Sequence, residues 1–292
     1  MQDKEADMLW NLYSNENTKL FRRALYWVGL AILLGMGMAI FGFLYATVQI
    51  PALSQNIPPE QIVMFTAMLT WPAAFYTALQ LSWSSISLGG LLAFLLVGVV
   101  MAQEYPWRTL NLTVGHGIPR ARVLAAKLLS VFTALVGWML LLMVAVGAFT
   151  AFTTWQTGGS LDLGSMNFGH LGMSILRQLL ALTPYVALTF CLAVATRSAV
   201  AAIGVAAGIS LIVEPLFIQL NVITGGGLSG VAAYLPMMLS QSLLKANELG
   251  AAGMLGAGGG MNPGTAAAAI AAYTGIFLLA AFLIFRRQDL SS

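Results

Sequence analysis

Charged residues are scarce in this chain, and several of those that could do chemistry lie in one polar stretch, residues 104–127. The stretch separates two long apolar runs and contains Glu104, Arg108, Arg120, Arg122 and Lys127. Basic side chains in such a position can contact lipid headgroups and fix the orientation of a chain in a membrane. On composition alone, headgroup contact is the ordinary interpretation of the stretch.

Other chemistry has little support in the sequence. The chain has one cysteine, Cys191, and two histidines, His116 and His170, which the predicted topology places on opposite sides, so we expect no metal site. No two carboxylates have a spacing that predicts a hydrolase. The glycine-rich residues 250–264 lack the Lys and the Ser or Thr that a phosphate-binding loop requires after its last glycine. We therefore expect no catalytic residue, no metal and no cofactor in this chain.

Composition predicts an integral membrane protein. The 292 residues are 59% hydrophobic and only 8% charged, and the mean hydropathy is +0.85. Soluble domains carry about 25% charged residues. The formal net charge of +3 is too small and too dispersed to predict a nucleic-acid partner, so we interpret the basic residues as topology signals.

Hydropathy predicts an all-α protein with six transmembrane helices. A helix needs roughly 20 apolar residues to cross ~30 Å of hydrocarbon. The first apolar run follows 23 mostly polar residues and is too long for the core of a signal peptide, so we count it as a span. The predicted spans are residues 24–48, 81–102, 128–152, 171–194, 199–220 and 265–285.

The distribution of basic residues predicts that both termini are cytoplasmic. With six spans, eleven of the 13 Lys and Arg residues fall on one side, and only Arg177 and Lys245 fall on the other. Such an excess is typical of cytoplasmic loops. Residues 62–80 are uncharged and long enough to cross, but a crossing there would break this pattern. We therefore predict that residues 62–80 form a re-entrant helix, an interfacial helix or an extension of the second span.

The segment before the first span predicts an amphipathic helix. In residues 8–23, apolar and aromatic residues fall near one helical face and polar residues occupy the rest. The first set is Leu9, Leu12, Tyr13, Leu20 and Phe21, and the second is Asn11, Asn15, Glu16, Thr18 and Lys19. Such a helix would lie in the inner membrane interface, either as an elbow that turns into the first span or as a simple anchor. We also expect a short helix along the membrane surface at residues 121–127, after a Gly-His-Gly break at residues 115–117.

The polar stretch also resembles a known signature. Glu104 is followed five residues later by Thr109 and Leu110, and Arg120 is followed seven residues later by Lys127 at the start of an apolar span. This order resembles the ABC exporter type-2 permease family, whose members read Glu, then Gly-Thr-Leu, then Pro-x-Ser-Arg and a trailing Lys. Here Arg108 replaces the usual glycine, and Pro119 directly precedes Arg120.

Two further elements fit the same resemblance. Leu235 and Pro236 resemble the family's Leu-Pro element in the outer segment after the fifth span. Residues 285–289, Phe-Arg-Arg-Gln-Asp, resemble its common ending of an aromatic, basic residues and an acid. The resemblance therefore extends along the chain in span order.

The resemblance implies an ATP-driven transporter subunit in the cell membrane. Residues 1–23 would form the elbow and residues 24–292 one permease domain, with a cytoplasmic coupling loop at residues 103–127 and outer segments at residues 49–80 and 222–263. Two separately encoded ATPase subunits would bind ATP and Mg, and a second permease copy, identical or closely related, would complete the assembly. The implied ATPase-coupling residues are Glu104, Arg108, Thr109, Arg120, Arg122 and Lys127, and the implied outer gate contains Leu235 and Pro236.

Low charge inside the predicted bundle suits an amphiphilic, lipid-like or peptide substrate, and the resemblance implies export. The alternatives are a secondary transporter, which the absence of a ladder of acidic residues disfavours, and a membrane scaffold subunit without an ATPase. Residues 222–263 are either an outer gate with glycine hinges or a tolerant loop.

Two charged residues lie inside predicted spans. At ~1.5 Å per residue, Arg177 and Glu214 differ in depth by roughly 5 Å. They could form an ion pair between the fourth and fifth spans. Alternatively, Glu214, beside the helix-breaking Pro215, could line the exit of a transport path.

Overall fold

The fold is helical throughout the part of the chain that can be described. The computed structural model describes residues 2–55, 57–71, 73–83, 87–103, 105, 118–156, 167–247 and 260–288, and every regular element within these ranges is a helix. In chain order the elements are α1 (Gln2–Arg22), α2 (Ala24–Gln49), α3 (Pro51–Ser54), α4 (Pro59–Leu69), α5 (Ala73–Trp83), α6 (Leu88–Ala102), α7 (Arg120–Gln156), α8 (Phe168–Thr196), α9 (Ala199–Gly208), a π-helical turn (Ile209–Val213), α10 (Glu214–Ile223), α11 (Ser229–Ala232), α12 (Pro236–Leu244), a 3₁₀ turn (Lys245–Asn247) and α13 (Pro263–Arg287).

Within the described ranges, five helices are long and apolar enough to cross a membrane. They are α2, α7, α8, the continuous unit Ala199–Ile223 formed by α9, the π turn and α10, and α13. Each of these helices contains one predicted span. The span predicted at residues 81–102 is not contained in any of them. The chain therefore has the composition and helix lengths of a multi-pass membrane protein.

The second predicted span is not one long helix. Ser87 has an extended backbone, and its Oγ accepts a hydrogen bond from the backbone N–H of Gly90, so α6 begins after it as a separate helix. The 15 residues of α6 extend only about 22 Å, less than the ~30 Å hydrocarbon layer. The hydropathy pattern predicts one span over the end of α5 and all of α6, because an apolar run does not show where a helix is capped.

Residues 62–80, whose path the sequence left open, fall on α4 and α5. The two helices meet at an angle of 94° and pass the length and hydropathy test for a span only when they are counted together. A broken span and a re-entrant loop both have this shape, and a straight span does not.

The N-terminal part of α7 differs from the prediction for residues 121–127. These residues do not form a separate helix along the membrane surface but the first turns of the 37-residue α7. The run of helix formers continues directly into the apolar span without a glycine or proline, so nothing interrupts the backbone hydrogen bonds.

The bundle packs around α8, which contacts α5, α6, α9, α12 and α13. Small residues permit close helix approach around α7, as is usual in membrane bundles. A Cβ built on Gly29 of α2 would lie 2.5 Å from the Trp138 ring, and one on Gly147 would lie 2.8 Å from Phe75 of α5. Larger residues at either position would force the helices apart.

Two of the long helices are mostly exposed. Only 22% of the most apolar window in Ala199–Ile223 and 17% of that in α13 are buried, against 56% in α8. Their exposed side chains include Leu216, Leu220 and Ile276. In water an apolar surface of this extent would be costly, whereas lipid covers it without penalty.

Candidate functional sites at the two ends of the bundle

Arg120 joins the start of α7 to the end of α13. Its Nη1 donates hydrogen bonds to the backbone carbonyls of Phe285, Arg286 and Gln288, at 3.1, 2.7 and 3.1 Å. The last carbonyls of a helix lack partners within the helix, and a cation there also complements the helix dipole. Arg120, predicted to be a coupling residue, therefore caps α13.

Gln288 extends this network to α8. Its Nε2 donates to the carbonyl of Val194 at 2.7 Å, and its Oε1 accepts from the Tyr105 hydroxyl at 3.0 Å. The guanidinium of Arg197 lies over the Tyr105 ring, 5.7 Å from its centroid. Because several basic residues gather where these helix ends meet, we call this region the basic end of the bundle.

A third bond ties the chain after α6 to the start of α2. Arg23 Nη1 donates to Gln103 Oε1 at 3.1 Å. The predicted coupling loop is thus anchored on one flank by Gln103 and Tyr105 and on the other by Arg120. Of the predicted coupling residues, Glu104, Arg108 and Thr109 lie outside the described residues.

Lys127 is not on the surface. Its side chain has no exposed area, and its Nζ lies 2.8 Å from Glu16 Oε2 of α1. Glu16 also accepts a hydrogen bond from the half-exposed Lys19 at 2.7 Å. The prediction that Glu16 belongs to the polar side of α1 is therefore wrong, because the carboxylate faces α7.

Lys127 lowers the pKa of Glu16. Burial by itself raises the pKa of Glu16, but the charge and hydrogen bond of Lys127, aided by those of Lys19, outweigh burial and hold that pKa below its ordinary value. Tyr13 adds a second contact between the same helices, since its hydroxyl lies 2.8 Å from Thr133 Oγ1. Helix α1 is thus fixed to α7 by polar contacts.

Arg122 is the remaining coupling residue in the described part of the chain, and it is half buried in the first turn of α7. Of the three described coupling residues, Lys127 is fully buried, whereas Arg120 and Arg122 are half buried.

At the other end of the bundle, which we call the far end, Glu214 is buried. Only 2% of the residue is exposed. Its Oε2 accepts a hydrogen bond from the Tyr185 hydroxyl of α8 at 2.5 Å and another from the backbone N–H of Met237 at 2.9 Å. Met237 lies in the first turn of α12, so the carboxylate caps that helix.

Arg177 does not pair with Glu214. Its Nη1 donates to the carbonyl of Ala246 and to Asn247 Oδ1, both at 2.9 Å. The ion pair considered from the sequence is therefore absent, and each charged group instead binds one end of the segment formed by α12 and the 3₁₀ turn. Between these two attachments, Ser240 Oγ donates to the Ala181 carbonyl at 3.0 Å.

Leu235 and Pro236, the predicted outer gate, stand at the start of this segment. Leu235 is the N-cap residue of α12, with an extended backbone, and Pro236 occupies the first helical turn. Proline is favoured there because it has no N–H to leave unsatisfied. Both residues are half buried beside the bond from Met237 to Glu214.

Sequence reasoning missed three partners that define these sites, namely Glu16, Tyr185 and Gln288. A signal existed for Gln288, which stands within the polar ending that follows α13. None existed for Tyr185, since a single tyrosine in an apolar run is usually a packing residue. The described residues contain no group of three His, Cys, Asp or Glu side chains that could hold a metal ion.

The fold and these end networks define an all-helical, multi-pass membrane protein. Residues 74–291 match the family described as a protein of unknown function (DUF2705), and the chain belongs to that family. The match includes the contacts of Arg120, Gln288 and Glu214 but excludes α1 to α4, and with them Glu16 and Arg23. No curated protein matches the chain.

Proposed function

We propose that the chain is the membrane permease subunit of an ATP-driven ABC transporter that exports an amphiphilic, lipid-like or peptide substrate. In this proposal two ATPase subunits bind the coupling loop, residues 103–127. ATP and Mg bind to those subunits, and a second permease copy completes the transport path. The proposal rests on the signature resemblance of Glu104, Thr109, Arg120 and Lys127.

The anchoring of the loop is the observation that carries the proposal. On one flank Tyr105 bonds Gln288, which in turn bonds the end of α8, and on the other Arg120 caps α13. A force on the loop would therefore reach α7, α8 and α13 together. A segment that only contacted headgroups would not need such fixed connections to three helices.

The charge distribution supports an orientation with the basic end in the cytoplasm. Arg23, Arg120, Arg197 and Arg286 gather there, whereas Arg177 and Lys245 belong to the far end. The excess agrees with the positive-inside rule. We propose that both termini are cytoplasmic, that α1 lies in the inner interface of the cell membrane, and that α6, with or without α5, provides a sixth crossing.

The experiment is a co-purification of the chain in mild detergent from its own host, with an assay of ATP hydrolysis. Charge reversal in the loop, Arg108→Glu with Arg122→Glu, is expected to remove the ATPase while the permease still folds. Arg120 is left intact because its loss would also disturb α13. Arg286→Glu with Arg287→Glu is the control, since these two exposed residues give the same charge change at the same end.

If neither the wild-type chain nor the charge-reversed variant co-purifies with an ATPase, the proposal is overturned. That result would favour the second candidate, a secondary transporter. Glu214 is the observation behind that alternative, because it is the only Asp or Glu in the five long apolar helices. A secondary transporter predicts proton flux into vesicles that contain only this chain, and Glu214→Gln would abolish it.

A further inference from the structure

Three buried polar atoms where α5 meets α8 make no hydrogen bond. They are Trp83 Nε1, Ser174 Oγ and Gln178 Oε1. The three residues are between 0% and 1% exposed. Polar atoms of this kind are costly to bury without a partner, and most have one in native proteins.

The three residues lie at one contact between α5 and α8. Gln178 reaches α5 directly, since its Nε2 donates to the carbonyl of Trp83 at 2.8 Å. Ser174 lies one helical turn before Gln178 on the same face of α8. One side of the Gln178 amide thus has a partner, while its oxygen, the serine hydroxyl and the indole N–H do not.

The cluster lies near the far end of the bundle, where the protein itself buries it. Gln178 is 18 residues before the end of α8, roughly 27 Å along the helix from the basic end. Ser87, which caps α6, is about 22 Å from the inner end of that helix. At the same rise Ser174, 22 residues before the end of α8, is roughly 33 Å from the basic end, so the cluster lies at the far edge of a ~30 Å hydrocarbon layer and its protein neighbours exclude water from it.

The chemistry of the three atoms specifies what they could bind. Indole Nε1–H is only a donor, the glutamine oxygen is only an acceptor, and the serine hydroxyl can act as either. None carries a charge, and the nearest cation in sequence, Arg177, is engaged with Ala246 and Asn247. This set matches a group that is neutral and both donates and accepts, and it matches neither a metal cation nor a phosphate.

We propose that Trp83, Ser174 and Gln178 form a binding site for a neutral hydrogen-bonding group, a hydroxyl or a primary amide, presented by water or by an amphiphilic molecule. The site is closed in this structure and fills when α5 separates from α8. It lies apart from both the Arg120 network and Glu214. The proposal does not depend on an ATPase partner, so it stands or fails separately from the proposed function.

The test uses the full chain in lipid vesicles. Cys191→Ala removes the only cysteine, and Ser174→Cys then places a thiol in the site. A neutral hydroxyethyl methanethiosulfonate is expected to modify this thiol at least about tenfold faster than the anionic sulfonatoethyl reagent. Ser242→Cys is the control, because Ser242 is equally buried but already bonds the Met238 carbonyl.

Competition distinguishes the two sources of the hydroxyl. Slower modification of Ser174→Cys in 1-hexanol, but not in n-hexane, would identify an amphiphilic alcohol as an occupant. Equal modification rates in 1-hexanol and in n-hexane would identify water as the occupant. A rate at Ser174→Cys no greater than at Ser242→Cys, or an equal rate with the charged reagent, would overturn the proposal.

A second measurement covers the case in which the cysteine variants fold poorly. Ser174→Ala removes only an unpartnered hydroxyl. If the site is occupied in the membrane, this variant is expected to lower the unfolding temperature in vesicles by about 2 °C or more. An unchanged or higher temperature would mean that the hydroxyl is merely unsatisfied, and the site would be rejected.

Discussion

Glu214 accepts a hydrogen bond from the backbone N–H of Met237, so a carboxylate within a membrane-spanning helix caps a helix of the next segment. Sequence reasoning had placed Glu214 and Pro236 in separate candidate sites, a transport path and an outer gate. The structure makes them neighbours in one site. Any movement of α12 away from α10 must first break this bond.

Replacing Glu214 is therefore expected to loosen α12. Glu214→Ala should cost on the order of 1–3 kcal/mol, since it leaves the buried Tyr185 hydroxyl and the Met237 amide without their acceptor. Glu214→Gln should cost less, because the amide oxygen still accepts. Hydrogen exchange at Met237 is the measurement, and unchanged protection of that amide in Glu214→Ala would contradict the cap.

The pair of Lys127 and Glu16 should behave as a buried ion pair. Lys127→Met leaves the Glu16 carboxylate against α7 without its main partner, so a loss of about 3–5 kcal/mol is expected. The double variant Glu16→Gln with Lys127→Met should recover much of that loss. Chemical unfolding of the four forms of the cycle gives the coupling energy.

Lys19 provides the matched control for this cycle, because it binds the same carboxylate from a half-exposed position. Lys19→Met should cost no more than about 1 kcal/mol, as surface pairs usually do. Equal costs for Lys19→Met and Lys127→Met would show that burial of Lys127 does not matter.

The same pair predicts how stability depends on pH. The pKa of Glu16 is lower in the folded protein than in the unfolded chain, so the folded protein binds fewer protons at this group in mildly acidic solution. Its contribution to stability is complete above the unfolded pKa, about 4.3, and is lost as the pH falls through the folded pKa. Unfolding from pH 7 to pH 3 should show a smaller acid loss in Glu16→Gln than in wild type. Parallel curves for the two proteins would refute this.

Arg120 should protect the end of α13. Arg120→Ala removes the donor shared by the carbonyls of Phe285, Arg286 and Gln288, so hydrogen exchange at the last turn of α13 should increase at least about tenfold, or 1.4 kcal/mol. Arg120→Lys should recover part of the protection, since an ammonium also donates but lacks the planar fork. Arg287→Ala, which removes an exposed cation from the same turn, should change little.

Hydropathy predicted the long helices because a span is a local property of the chain. Residues 24–48 and 171–194 needed no knowledge of their neighbours to be recognised. The division between α5 and α6 was missed because the cap at Ser87 and the bond from Gln178 depend on side-chain geometry and on residues that are distant in sequence. Contacts of this kind decide where an apolar run bends.

Arg177 and Glu214 lie at similar depths, which is why the sequence suggested an ion pair, but the structure does not join them. Depth follows from the number of residues, whereas the direction of a side chain depends on helix rotation. The π turn Ile209–Val213 precedes Glu214 directly, and one extra residue rotates the remainder of the helix by about 100°. Hydropathy cannot detect such a turn.

The position of Lys127 has a consequence for the order of synthesis. Because chains are made from the N-terminus, α1 with Glu16 is complete more than one hundred residues before Lys127 leaves the ribosome. A lysine that would resist entry into an apolar environment therefore meets a carboxylate that is already in place. Removal of α1 should then slow insertion of α7 itself, rather than merely weaken the finished protein.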